Sequence, residues 1–299
     1  MAPQPTPVPA TKLPSASAAD TSALPDLERD HVQKVYDAVA AQWHGTRYKA
    51  WPRVVDFVRA LPPCSLVADL GCGNGKIAPY CREAGHLAIG CDFSIELVRI
   101  AAFQQGQQAQ AADVMALPYR DGVFDAALSI AVLHHVSTAE RRRLLVTETL
   151  RVLRPGGRAL MYAWAAEQSE GRSGHNFESP DVFVPFHNRV DKPKAPATAP
   201  QPAPTDDVAT LEAMGGVFDP TKRAVIFQRY CHVYRTGELR ALIDEVGGMR
   251  ILDEYYDTGN HCIAIEKLPD NGEEPAGMPD VALAAPHAAS APPPETTRT

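Results

Sequence analysis

Three glycines at alternate positions follow an apolar run that carries an acid: Val67-Ala68-Asp69-Leu70-Gly71-Cys72-Gly73-Asn74-Gly75-Lys76. The stretch reads as a strand, a tight turn and the start of a helix. Its glycines let the backbone turn sharply and let a ligand come close, in space that a Cβ would fill. The chemistry on offer is nucleotide-type binding. Gly-x-Gly-x-Gly differs from the Gly-x-Gly-x-x-Gly of dinucleotide sites, and Lys76 lacks the following Ser or Thr that a P-loop uses for Mg²⁺. Asp69, two residues before Gly71, suits a ligand with a cationic end and points to S-adenosylmethionine (SAM). An ordinary glycine turn in an α/β sheet is the plain alternative.

Two more acids close later strands. Asp92 lies 17 residues after Gly75, where the second strand of a βαβ unit sets a carboxylate against ribose hydroxyls. Asp113, followed by Val114, suits an adenine amino group with an apolar neighbour under the ring. His134 and His135 sit at the carboxyl end of a further strand, where open α/β sheets bind ligands. A buried or surface histidine is the commoner fate of a lone His, and position makes one of the two a substrate-facing candidate. Two short segments are dense in bases and aromatics: His44 to Pro52, with Arg47, Tyr48, Lys49 and Trp51, and Arg229-Tyr230-Cys231-His232-Val233-Tyr234. In the second, period-two spacing puts Tyr230, His232 and Tyr234 on one face and Arg229 on the other.

The elements that must hold these residues alternate regularly. Val32, Val35, Tyr36, Val39 and Trp43 mark an amphipathic helix with Asp30 as its expected N-cap. Leu66 to Leu70, His86 to Cys91 and Phe124 to Val132 are apolar strands of the kind found in a parallel sheet covered on both faces. Leu153-Arg154-Pro155-Gly156-Gly157 ends a helix and starts the strand Arg158 to Trp164, and two strands near the end of the chain form a hairpin. The expected fold is a doubly wound α/β sheet of the Rossmann-like class, mostly parallel, with an antiparallel C-terminal strand pair. An insertion over 165–228 interrupts it, with a Pro/Ala/Lys-rich flexible linker expected at about 191–220. The ends, 1–27 and 269–299, are Pro/Ala-rich and expected to be disordered, which leaves 28–268 as the folded domain.

Formal net charge is −7, of which the C-terminal tail carries −4, so the body is close to neutral and any nucleic-acid contact must come from local patches. Six cysteines without a Cys-x-x-Cys pair read as reduced, mostly buried thiols, and no metal site is expected. No apolar run approaches the ~20 residues that span a bilayer, so no membrane role is expected. A cytoplasmic location is expected, with the nucleus as a second compartment. Transit to an organelle stays open because residues 1–25 are rich in Ser, Thr and Ala, although Lys12 is their one base.

The glycine turn, the two strand-end acids, the Arg-Pro-Gly-Gly turn and the terminal strand pair together resemble the class I SAM-dependent methyltransferases. Narrower segments resemble the tRNA wobble-uridine carboxymethyl methyltransferases: Thr46-Arg47-Tyr48-Lys49-Ala50-Trp51-Pro52, Ser129 to His135, and Arg229 to Tyr234 with Gly237-Glu238-Leu239. Phe186 and Cys231 depart from that family's usual Trp and Tyr. The family occurs free-standing or fused to an AlkB-type hydroxylase, and the length of this chain fits the free-standing form.

The resemblance implies methyl transfer from SAM to the carboxylate of 5-carboxymethyluridine at tRNA position 34, in the anticodon loop. It also implies the roles of individual residues. Asp69, Gly71, Gly73, Asn74, Gly75, Asp92, Phe93, Asp113, Val114 and Ile130 are expected to hold SAM. Arg47, His134 and His135 are the catalytic candidates, acting by orientation because a carboxylate needs no strong base at pH 7. Tyr48, Lys49, Trp164, Arg229, Tyr230 and His232 are expected to bind substrate, the rings by stacking and Arg229 on phosphate. A small zinc-containing activator subunit is implied as partner. The rival readings are a quinone- or sterol-type small-molecule methyltransferase and a non-catalytic SAM-fold binding subunit.

Overall fold

The structure, a computed structural model, describes residues 6–7, 24–46, 49–168, 177–190 and 207–269. Arg47, Tyr48, residues 191–206 of the expected linker and most of both tails lie outside the described residues.

Seven strands form the central sheet. They are β2 (Leu66–Leu70), β3 (Leu87–Asp92), β4 (Gln108–Ala111), β5 (Phe124–Ile130), β6 (Leu153–Trp164), β10 (Met249–Asp257) and β11 (Asn260–Lys267), in the order β10-β11-β6-β5-β2-β3-β4. The β2, β3, β4, β5 and β6 pairings are parallel, whereas β11 runs antiparallel to both β6 and β10. Successive connections from β2 lead to β3 on one side and the sheet then resumes with β5 on the other, so strand order reverses at β2. That reversal opens a crevice at the carboxyl ends of β2 and β5, and the glycine turn lies in it.

The inner strands are buried on both faces because helices cover both. Val54, Phe57 and Val58 of α3 (Pro52–Arg59) pack with Val67, Ala126 and Leu128 on one face. On the other, Leu145 and Val146 of α6 (Ala139–Val152) pack with Ala68, Leu70 and Ala127. Leu239, Leu242 and Ile243 of α8 (Glu238–Val246) extend that second core. Ser94 caps α5 (Ile95–Gln105) by accepting from the Leu97 amide.

Three expectations about local structure are corrected. Asp30 is not an N-cap: helix begins at α1 (Asp26–Glu28) after Pro25 and continues through a π turn (Arg29–Gln33) into α2 (Lys34–His44). Asp30 instead pairs with Arg29 and Lys34 on the exposed side. The interval 191–220 is not all linker, because α7 (Val208–Ala213), capped by Asp207, and β8 (Val217–Asp219) bury Leu211 and Phe218 against Val225 and Phe227. Thr6–Pro7, within the expected N-terminal tail, forms a short strand, β1.

The insertion supplies most of a second sheet, β1-β7-β9-β8, with β7 (Asp181–Arg189) and β9 (Ala224–His232) as its antiparallel centre and Thr6–Pro7 at its edge. It leans over the carboxyl end of the main sheet and is tied there by a bridge between Ala165 and Tyr234. Together α2, the glycine turn and β9 enclose one large cavity.

Candidate active site

The cavity measures about 800 Å³, enough for a nucleoside cofactor and a second nucleoside-sized group. Gly71, Gly73, Asn74, Asp92, Phe93, Asp113, Val114 and Ile130 all line it. The turn is built for close approach. Gly71 has φ +72°, and a Cβ there would stand 2.3 Å from Val132; Gly73 has φ +56°, and a Cβ there would project into open space. Its amide donates to Asp92 Oδ2 at 2.8 Å, while the other Asp92 oxygen accepts from the Ser94 amide at 2.9 Å. Burial raises Asp92 to about 6 despite these amides. The residues fit SAM: a strand-end carboxylate, a glycine cradle without side chains, and Asp113 beside Val114 line the same wall.

Two of the expected cofactor residues do not line the cavity. Asp69 is 1 % exposed and accepts from Gln107 Nε2 at 3.2 Å, so it braces the turn from beneath; burial raises it to about 6. Gly75 gives room for Gln107 and Ala101 behind the turn, where a Cβ would meet both within 3.0 Å.

At the substrate end, β5 is followed by Ala131, whose φ of +64° turns the chain towards a 3-10 turn, Leu133–His135. This turn delivers both histidines to the cavity. His134 stacks on Trp164 with ring centres 5.3 Å apart, and its Nδ1 accepts from the Trp164 amide. His135 lies between the Tyr230 carbonyl, 2.9 Å from Nδ1, and the Tyr36 hydroxyl, 2.8 Å from Nε2. Burial, helped by nearby Arg229, lowers His135 to about 3, and burial also lowers His134 well below its ordinary value. Both rings are therefore neutral at physiological pH, which suits hydrogen bonding and orientation. Cys231 brings its sulfur near them, with ligand-type atoms of all three within 4.8 Å of one another. The hydrogen bonds occupy both His135 nitrogens, and burial pushes the thiol up to about 12, so the trio is not preformed for a metal.

The β9 residues divide by face as the spacing requires, but their roles differ from expectation. Tyr230 and His232 do not line the cavity and cannot stack on a base there. Tyr230 is fully buried and donates to Asp181 at 2.5 Å, and His232 is held between Asp181 at 3.0 Å and Glu238 at 2.6 Å. Burial pulls the His232 pKa down, yet the two carboxylates outweigh it and the net shift is upward. This network fastens the inserted sheet to α8. Arg229, on the other face, is not at the surface for a phosphate. It is 8 % exposed, lines the cavity, and lies 5.4, 5.6 and 6.0 Å from the rings of Trp43, Phe186 and Trp164. Lys49 is exposed at the rim and Trp164 forms part of the wall.

Sequence reasoning missed the contribution of α1 and α2. Tyr36 and Trp43, read as a buried helical stripe, face the cavity, as does Glu28. Glu28 forms a buried pair with Arg141 at 2.9 Å, and Arg141 stands 3.6 Å from Asp113. The only sequence signal was the placing of a Tyr and a Trp on an otherwise aliphatic stripe.

A family model described as a methyltransferase domain matches residues 68–161. The CcbJ methyltransferase from Streptomyces caelestis has a similar fold, with a TM-score of 0.51, 13 % identity and coverage of 81 % of this chain and 98 % of that one. A mouse (Mus musculus) protein named tRNA (carboxymethyluridine(34)-5-O)-methyltransferase is 34 % identical over 85 % of this chain but 46 % of its own length. The chain thus spans about half the length of that relative and of its counterparts in Macaca fascicularis and Xenopus tropicalis. A Schizosaccharomyces pombe protein of the same name is 37 % identical over 81 % of this chain. Since that second alignment takes in 98 % of the yeast protein, the chain belongs to the tRNA (carboxymethyluridine(34)-5-O)-methyltransferase family, within the class I SAM-dependent methyltransferases.

Proposed function

We propose that this protein methylates the carboxylate of 5-carboxymethyluridine at the wobble position of tRNA, giving the methyl ester. The observation that carries the proposal is Arg229. Among the described residues no carboxylate pairs with this buried cation, and its Nε–H is buried without a partner. Burying a charge without a counter-ion is costly, so a site that keeps one is suited to an anion that arrives with the substrate.

When bound, SAM supplies a sulfonium methyl: a carboxylate oxygen forms the O–CH₃ bond, the S–CH₃ bond breaks with its electron pair going to sulfur, and no proton moves. The protein's part is consequently to hold and to dry the reactants. Asp92 holds ribose hydroxyls, and Asp113 with Val114 and Ile130 holds the adenine. Gly71 and Gly73 leave the cofactor's amino-acid end its space, and Phe93 and Asn74 complete that wall. Arg229 takes the substrate carboxylate. His134, its Nδ1 accepting from the Trp164 amide, carries its proton on Nε2 and donates to the uracil. Trp164 offers a stacking face and Lys49 a rim charge for the anticodon-loop phosphates; Arg47 and Tyr48 adjoin it in sequence. Joining an anion and a cation into neutral products is favoured in an enclosed site, because the charged ground state is the one that loses hydration.

For the partner, a small zinc-containing activator, we propose docking at β4, one of the two edge strands of the main sheet, which among the described residues pairs with β3 alone. Its residues are largely exposed, and Phe103, 66 % exposed, and Leu87, 50 % exposed, stand on neighbouring elements. The test is transfer of labelled methyl from SAM to anticodon stem-loops, with the full chain co-expressed with such an activator. Incorporation that requires 5-carboxymethyluridine supports the proposal. Incorporation into an RNase-treated small-molecule extract instead would refute it.

A further inference from the structure

Arg229 does not stand alone, and the groups behind it have a fixed polarity. The Tyr230 carbonyl can only accept, so it takes the proton on His135 Nδ1 and leaves the Nε2 lone pair free. Tyr36 must then donate to Nε2, and its oxygen turns a lone pair to Arg229 Nη1, 3.3 Å away. One backbone carbonyl on β9 therefore sets the direction of every bond in the chain Arg229–Tyr36–His135. The guanidinium is held on one side by that bond and enclosed by Trp43, Phe186 and Trp164. The residue lines the cavity, and its buried Nε–H has no hydrogen-bond partner among the described residues.

We infer that Arg229, aimed by Tyr36 and His135, is an anion subsite that selects the charge of the substrate's side chain: it takes a carboxylate and rejects the isosteric carboxamide and the methyl ester. This inference rests on the reading given under Proposed function. A carboxylate supplies the counter-charge that the cavity-lining guanidinium lacks among the described residues. The amide supplies an acceptor without charge, and its NH₂ meets a cation. The ester is neutral too, so the product of the reaction loses the attraction that held the reactant, and its release is built into the site. Tyr36 is a positioning residue, because it acts through Arg229.

The test uses the full-length protein with S-adenosylhomocysteine present, and reads quenching of Trp43 and Trp164 fluorescence. Three nucleosides serve as probes: 5-carboxymethyluridine, 5-carbamoylmethyluridine and 5-methoxycarbonylmethyluridine. The wild type is expected to favour the carboxylate by on the order of 10²-fold over either neutral probe. Arg229→Met should bring that ratio close to one. Tyr36→Phe should lower it several-fold, and in turnover should raise KM for a carboxymethyl stem-loop more than it lowers kcat, with cofactor affinity unchanged in both variants. Equal affinity for all three probes in the wild type overturns the inference, as does an unchanged ratio in folded Arg229→Met. The two proposals fail separately. Charge selection that depends on Arg229, with no methylation of the carboxymethyl stem-loop, refutes the enzymatic reading and leaves the subsite standing. Methylation with no charge selection does the reverse.

Discussion

Glu28→Gln tests how α1 is fastened over the cofactor end of the cavity. Glu28 Oε1 accepts from the Ser137 amide and hydroxyl, each at 2.7 Å, and Oε2 accepts from Arg141 Nη2 at 2.9 Å. Both partners are nearly enclosed, Glu28 at 5 % and Arg141 at 3 % exposed. The substitution takes the Glu28 charge away from Arg141, which still has Asp113 at 3.6 Å. Removing one member of such a pair costs about 3–5 kcal/mol, because the other charge stays buried. At roughly 2–4 °C per kcal/mol for a domain of this size, the melting temperature should fall by roughly 6–20 °C. Cofactor affinity should fall as well, since Arg141 then competes with the adenine for Asp113. Thermal unfolding by circular dichroism and calorimetric titration with SAM read the two effects. Arg141→Met added to Glu28→Gln removes the buried charge that Glu28 had balanced, so the double variant should be more stable than the sum of the single effects. A fall of less than about 2 °C in Glu28→Gln, or strict additivity in the double variant, would refute the reasoning.

Other outcomes follow from the same geometry. Gly71→Ala should abolish SAM binding, since its Cβ would clash with Val132 at 2.3 Å; Val132→Ala should restore it only partly, because φ stays at +72°. Calorimetry on both variants checks this. SAM affinity should weaken as pH falls through about 6, by up to ~10-fold per unit, because Asp92 must be ionised to accept ribose hydroxyls; titration from pH 5 to 8 measures it. Buried Asp69, raised to about 6, has the opposite effect on the unliganded fold. The unfolded chain ionises first above its ordinary value, and Asp92 is raised alike, so each of the two carboxyls takes about 3 kcal/mol from stability as pH rises from ~4 to ~6, with no further change above; urea unfolding along that range detects it. With His135 lowered to about 3, kcat should show no histidine ionisation between pH 6 and 8, and a bell-shaped profile there would contradict its neutral role.

Much of this was legible from local pattern. The order of strands, the glycine turn and the acids at Asp92 and Asp113 follow from apolar runs ending in chemically distinctive residues, and these are local signals. Residues at strand ends land in the crevice because sheet topology sends them there, so His134 and His135 could be placed without knowing their contacts. What could not be read depends on pairings distant in sequence. The alternation around Arg229 gives its face but not its partners, Tyr36 and Trp43, which lie nearly 200 residues earlier. Tyr230 and His232 look like stacking groups until Asp181 and Glu238 are seen to claim them. The place of Asp69 in the motif points to the ligand, whereas its partner Gln107, just ahead of β4, leaves no mark in the motif.

The most direct measurement is mass spectrometry of wobble nucleosides in tRNA from cells lacking this protein, with and without the wild-type chain restored. The account predicts that 5-carboxymethyluridine accumulates, that its methyl ester disappears, and that the restored chain reverses both while Arg229→Met does not. Unchanged ester in the deletion cells, with no accumulation of the free acid, would contradict it.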